Sequence, residues 1–517
     1  MMRAPSLLMY SKLMSKDRES EPLCYENDMK KMPCRKDSGY DSISSPIEMP
    51  YPLTSLDVLQ EAKAVLRYSI PLAITFFLGY STRATDVWFL GKLGPQGISI
   101  GNGILTGKEK KEAVIRKVLT PFSRVAIDTL VAQAFTGAKH HHTVGIILQR
   151  GLLVSFIFGI MISVLWANSE FILVLMGQDP MLANMAQTYI IILIPYLFIC
   201  YANTALRKFL QSIGEMKVTL YLVFFLLPAN VVSNYFFLEY LNLGYIGAAL
   251  HIVFISAFIT LLYTIYLTCI TNLIQVYWPG LTLNAFGGWS EFLRLGIPGM
   301  LSLSTDWAFE VCALLTGVLG QTSLAAQSVV LTINTLLLMI PTALSTGMAV
   351  RLGHLLGANE PRKSNLCFMV SAGIGVLCTF INALAIFTYR SQIAHHFSSD
   401  SEVVEATINL LQVASACHFT MGIGIVFSYA LNALGKQTIV ASLNVVSYYM
   451  IGLPFGIYLT YQCDWGLEGI WAGVALSGIV KVLCEFSILT YLVDWRHECQ
   501  LATNRIHDQE YATSFIV

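Results

Sequence analysis

The chain has 517 residues, 55% of them hydrophobic and only 12% charged, with a mean hydropathy of +0.61. Soluble domains carry about twice that share of charge, so a soluble globular protein is excluded and an integral membrane protein is implied. The 32 basic residues balance the 32 acidic ones, which removes any bulk electrostatic pull towards nucleic acid.

Met1 to Pro52 is polar and mixed in charge, and its run Leu7-Leu8-Met9 is too short for a secretory signal core. Residues 1–60 are therefore expected to be a disordered cytosolic tail. Apolar windows of ~20 residues, long enough to cross a bilayer as helix, then fall at 65–90, 144–167, 187–206, 217–238, 246–270, 293–318, 324–349, 367–389, 407–431, 439–460 and 470–492. A twelfth span is expected between the first two. There Gly101 to Arg124 reads GNGILTGKEKKEAVIRKVLTPFSR, and Lys108, Glu109, Lys110, Lys111, Glu112, Arg116 and Lys117 do not belong in hydrocarbon. An intron read as exon, a genuine but defective variant and a cytosolic or interfacial insertion are the three accounts of this stretch.

Ionisable groups inside the other spans are costly, at roughly 2.5–3.5 kcal/mol each on insertion scales, and so mark candidate sites. Asp86 lies in the first span with Arg83 one turn before it, a possible local partner. Asp306 and Glu310 share one helix face in the seventh span, ~40° apart at 3.6 residues per turn. Two carboxylates that close repel when both are ionised, which favours a shared proton. His418 in the tenth span is a possible proton relay, although a lone histidine in an apolar helix is more often structural. Lys481 and Glu485 in the twelfth span read as a structural i, i+4 pair. Trp307, Phe309, Gln327, Tyr448 and Tyr449 offer an aromatic and polar lining suited to planar cations. The eleven cysteines show no CxxC spacing and read as small buried hydrophobes. No span gathers a ligand cluster or a nucleophile with a base, so neither a metal site nor an enzyme is expected.

Twelve spans put both termini on one side. Arg207, Lys208, Lys217, Arg351, Arg362 and Lys436 lie on that side, whereas Glu170, Asp179, Glu239, Asp400 and Asp464 lie opposite, with Lys92 and Arg390 as the main basic exceptions there. Basic retention places both termini in the cytosol. An internal repeat divides the spans: Leu66-Arg67-Tyr68-Ser69-Ile70-Pro71 returns as Leu293-Arg294-Leu295-Gly296-Ile297-Pro298, and Gly244-Tyr245-Ile246-Gly247 as Gly466-Leu467-Glu468-Gly469. Offsets of about 225 residues in constant order indicate two like-oriented lobes related by an axis along the membrane normal. The expected fold is thus an all-α integral membrane protein: an N-lobe over 61–272, a linking loop over 273–290, a C-lobe over 291–495 and a cytosolic tail over 496–517.

Several segments resemble the multidrug and toxic compound extrusion (MATE) family in its eukaryotic branch. Ile127-Asp128-Thr129-Leu130-Val131-Ala132-Gln133-Ala134-Phe135 is similar to that family's LDTLxxQAxG signature. Arg294-Leu295-Gly296-Ile297-Pro298-Gly299-Met300-Leu301 with Asp306-Trp307-Ala308-Phe309-Glu310 resembles its seventh helix, although one of two tryptophans between the acids is missing here. Leu324-Ala325-Ala326-Gln327-Ser328, Arg351-Leu352-Gly353-His354-Leu355-Leu356-Gly357-Ala358 and Tyr448-Tyr449-Met450-Ile451-Gly452-Leu453-Pro454 match further segments. Asp86 resembles an acid that prokaryotic members use for proton coupling, while Met421 stands where the tenth helix usually carries an acid. The resemblance runs from about residue 60 to 495. It implies a monomeric antiporter in the plasma or vacuolar membrane, without a cofactor, that exports small amphipathic or cationic compounds against inward H+ or Na+. Asp306, Glu310 and Asp86 would couple the ion. A lipid flippase of the same superfamily and a non-transporting, defective paralogue are the alternatives.

Overall fold

The structure, a computed structural model, describes residues 54–91, 121–175, 180–271, 273–302, 316 and 319–514. Among these, ten helices are long and apolar enough to cross a membrane. In chain order the main helices are α1 (Ser55–Gly91), α2 (Pro121–Gly137), α3 (His142–Ala167), α4 (Pro180–Ser212), α5 (Met216–Asn234), α6 (Gly244–Ile265), α7 (Trp289–Leu301), α8 (Gln321–Gly357), α9 (Pro361–Phe397), α10 (Ser401–Ala433), α11 (Gln437–Asn444, continuing through a wide π-helical stretch to Gln462), α12 (Gly466–Ser487) and α13 (Trp495–Ser514). Most of the charged stretch 101–124, and the seventh span beyond residue 302, lie outside the described residues. A lipid-facing backbone must satisfy its polar groups internally, which helices do. Their outward faces carry large apolar side chains such as Phe156, Phe225, Leu261, Phe380 and Leu483, the surface that lipid rather than water covers.

The repeat read from sequence reappears as backbone geometry. Asn242 (φ 51°) and Gly244 (φ 55°) start α6, just as Asp464 (φ 54°) and Gly466 (φ 56°) start α12. These are the residue types that tolerate the left-handed region. Both α4 and α10 end in the same six-residue loop, with Glu215 N donating to Leu210 O and Lys436 N to Leu431 O, each at 2.9 Å. Two six-helix lobes follow, α1–α6 and α7–α12.

Ile127, Ile147, Phe209 and Tyr263 of the N-lobe pack in one cluster, which Phe292 of α7 joins from the C-lobe, and Leu410, Leu411, Tyr448, Trp471 and Val474 of the C-lobe pack in another. Between lobes the packing relies on small residues, as lipid-embedded interfaces do. A Cβ on Gly353 would stand 2.6 Å from Ala132 Cβ, and one on Gly357 would overlap the Gln133 carbonyl.

Polar ties join the lobes where α2, α4, α8 and α10 finish. Arg351 grips Glu61 through Nε (3.0 Å) and Nη2 (3.1 Å). Thr136 Oγ1 donates to His354 O (2.7 Å), and the His354 ring meets Ser212 O (2.7 Å). At the same end, the segment expected as a C-terminal tail is instead the helix α13. It packs on α2, α8, α9 and the linking segment. Its buried Cys499, Ala502 and Ile506 recur at helical spacing, a stripe too short and too flanked by charge to register as a membrane span.

Candidate functional site

Beyond Lys217 and Thr219 near its start, helix α5 is apolar but for Asn230, Ser233 and Asn234, which the 3.6-residue period sets on one face. All three are buried, at 4% exposure or less, and they meet His251 of α6, which is 2% exposed. Into this group α1 delivers Asp86. Its Oδ1 accepts from Asn234 Nδ2 at 2.8 Å and Asn230 Nδ2 at 2.9 Å. His251 Nε2 stands 3.2 Å from the same oxygen, while its Nδ1 lies 2.9 Å from Ser233 Oγ. A hydrogen bond between Nε2 and Oδ1 requires a proton on one of the two atoms. His251 Nε2 also lies 3.1 Å from Asn234 Nδ2 and 3.4 Å from Asn230 Nδ2, so a carboxylate, an imidazole and two amides meet in one polar cluster, with both amides positioned to donate to the carboxylate. Asp86 keeps 29% of its side chain accessible. Arg83, the partner suggested by sequence, is exposed and makes none of these contacts.

Next to this group is a pocket of about 370 Å³ lined by Trp88, Phe89, Val231, Val232, Tyr235 and Glu239. Trp88 and Phe89 meet edge to face with centroids 4.8 Å apart. Neither the pocket nor the roles of Asn230, Asn234 and His251 were recognised from sequence. The available signal was the trio of polar residues at i, i+3, i+4 in an apolar span.

Asp306, Trp307, Phe309 and Glu310 lie outside the described residues. Of the other C-lobe candidates, Gln327 is buried and hydrogen-bonded to Thr316, and Tyr448 is buried in the C-lobe core. Tyr449 is partly exposed. His418 is fully buried with Nδ1 2.8 Å from Asn334 Oδ1, whose amide contacts Met421 Sδ at 3.8 Å. Asp86 and these C-lobe residues thus occupy different lobes. Lys481 Nζ lies 3.9 Å from Glu485 Oε1, which accepts from Ser428 Oγ at 2.7 Å. That carboxylate is held inside the C-lobe.

The signature segment at 127–135 serves the lobe interface. Asp128 pairs with the buried Lys208 of α4 at 2.7 Å. Thr129 Oγ1 donates to Asn432 O (3.0 Å) and Gln133 Nε2 to Ala433 O (2.8 Å), both across the lobes. Among the described residues no group of three or more His, Cys, Asp or Glu side chains is arranged to hold a metal ion.

The MatE family profile matches residues 71–236 and 299–458. Multidrug and toxin extrusion protein 1 of Homo sapiens is 30% identical over 378 residues, covering 73% of this chain and 66% of that protein. Protein DETOXIFICATION 17 of Arabidopsis thaliana is 28% identical, with 88% and 94% covered. The crystal structure of the eukaryotic MATE transporter AtDTX14 superposes with a TM-score of 0.78 at 24% identity, covering 87% of this chain and 100% of that one. With both repeats matched and the two-lobe fold shared, the chain belongs to the multidrug and toxic compound extrusion family of membrane transporters.

Proposed function

We propose that this protein is a secondary antiporter that exports small organic cations in exchange for protons, with Asp86 as a coupling group. The observation that carries the reading is the contact of Asp86 Oδ1 with His251 Nε2, 3.2 Å, inside a ring of buried amides. Protonating the carboxylate weakens its hold on three donors at once, and so loosens α1 from α5 and α6. Pro71, which lacks an N–H for the helix ladder, gives α1 a place to bend. Proton occupancy is thereby tied to helix position. Nitrogen donors around the carboxylate suit a proton better than Na+, which needs a shell of oxygens.

The pocket beside Trp88, with Glu239 at its rim, suits a planar cation resting on an aromatic face. Asp306 and Glu310 are assigned a second coupling site in the C-lobe. Trp307, Phe309, Gln327, Tyr448 and Tyr449 are assigned to substrate binding in that lobe, on the aromatic and polar character of their side chains. His418 is assigned to anchoring Asn334. The end bearing α13 is taken as cytosolic, consistent with the basic residues there. A flippase would call for basic groups to hold headgroup phosphates, whereas this site is built on a carboxylate. In vesicles carrying the purified protein, an imposed pH gradient should drive uptake of a fluorescent organic cation. Uptake equal with and without the gradient would remove the antiport reading.

A further inference from the structure

The helix α13 is attached to both lobes, but by different halves. Its first half is built into the C-lobe. Trp495 packs on Phe368 with ring centroids 5.9 Å apart, Cys499 and Ala502 belong to the core cluster of Leu356, Phe427 and Leu434, and Glu498 pairs with Lys436 at 2.7 Å. The second half grips the N-lobe. Gln509 accepts from Arg150, a guanidinium with no exposed surface. Glu510 Oε1 accepts from the backbone N–H groups of Lys139 (2.7 Å) and His140 (3.3 Å) ahead of α3. A Cβ on Gly137 would stand 2.5 Å from Ile506 Cδ1, so α2 and α13 are in close apposition.

Arg505 sits where the halves meet. Its Nη2 donates to Leu434 O of the C-lobe at 2.8 Å and its Nη1 to Gln133 Oε1 of the N-lobe at 3.3 Å, with Glu291 3.8 Å from its Nε. Gln133 is at the same time bonded to Ala433 O, so one side chain links α2, the end of α10 and α13. The turn admits the guanidinium because residue 435 is glycine. It adopts φ +81°, and a Cβ there would stand 2.6 Å from Arg505 Cζ.

We propose that α13 is a clasp between the lobes: its first half moves with the C-lobe, and Arg505, Gln509 and Glu510 must release the N-lobe before the lobes can part at this end. Charged and polar ties of this kind re-form more readily than a packed apolar core, which suits a contact that is broken and remade. The helix then biases the protein towards the arrangement in which this end is shut.

The test uses the full chain with Thr129→Cys, a position 3% exposed whose side chain meets Asn432 O across the lobe seam. Maleimide labelling at position 129 and at Cys499 is followed by peptide mass spectrometry, and neither readout needs a transported compound or an ion gradient. The triple change Arg505→Ala, Gln509→Ala, Glu510→Ala should raise labelling at 129 at least fivefold while Cys499 stays protected. The milder Glu510→Gln should raise it about twofold. Unchanged labelling at 129 in both variants would overturn the proposal. So would a parallel rise at Cys499, because the whole helix or its lobe would then be coming apart.

Discussion

Asp86 of α1 and His251 of α6 meet at 3.2 Å, although 165 positions separate them in the chain. Two asparagines of α5 close the group, so three helices of the N-lobe share one carboxylate oxygen. Such a contact serves both as a structural tie and as a place for a proton, and substitutions at the two residues should separate these uses.

His251→Ala deprives Ser233 and Asp86 of a buried partner. Leaving a buried polar group unsatisfied costs about 1–3 kcal/mol, so thermal unfolding in detergent should occur several degrees lower. His251→Gln keeps a hydrogen-bonding side chain and should recover most of that stability. Its pH profile of transport should nonetheless remain altered, because an amide does not titrate. Equal pH profiles for His251→Gln and the parent would reduce His251 to packing.

Asp128 and Lys208 lie 2.7 Å apart, with only 3% of the lysine side chain accessible. Removing one partner of a buried pair strands the other and costs about 3–5 kcal/mol, and the partial exposure of Asp128 places this pair at the lower end. Asp128→Asn and Lys208→Met should each destabilise strongly, and the double variant should be less than additive. Additive losses in a double-mutant cycle would show that the pair does not interact.

Burial pushes the Cys499 thiol up to about 11, from an ordinary value near 9. Native protein should therefore alkylate slowly at neutral pH, with the rate climbing only as pH approaches 11. The sign for stability follows from the raised value. The contribution is whole below about pH 9 and falls away as pH rises to about 11, because the unfolded chain ionises first. Ordinary thiol reactivity of native Cys499 at pH 8 would contradict the packed position of α13.

His418 is bonded to Asn334 within the C-lobe. His418→Ala should lower stability by about 1–3 kcal/mol while leaving the pH profile of transport in place. A displaced profile would instead support the relay role considered from sequence.

The membrane class, the apolar spans and the two-fold repeat were legible because each rests on local composition or on recurrence along the chain. The repeat was secured by residues with local conformational meaning, such as Gly244 and Gly466, whose positive φ angles the structure shows. Asp86 was legible as an isolated charge in an apolar span. Its partners were not, because Asn230, Asn234 and His251 are brought to it only by the packing of α5 and α6. Arg83, its neighbour on the helix, was the partner that sequence distance suggested, and it makes none of those contacts. The helix α13 was read as a tail because its apolar stripe of Cys499, Ala502 and Ile506 is narrow. Its docking depends on polar partners scattered over both lobes.

The most direct measurement is of Asp86→Asn in vesicles with an imposed pH gradient, scored for cation uptake and, separately, for substrate binding at fixed pH. We expect gradient-driven uptake to fall at least tenfold while binding stays near that of the parent. Gradient-driven uptake at the parental rate would contradict the assignment of Asp86 as a coupling group.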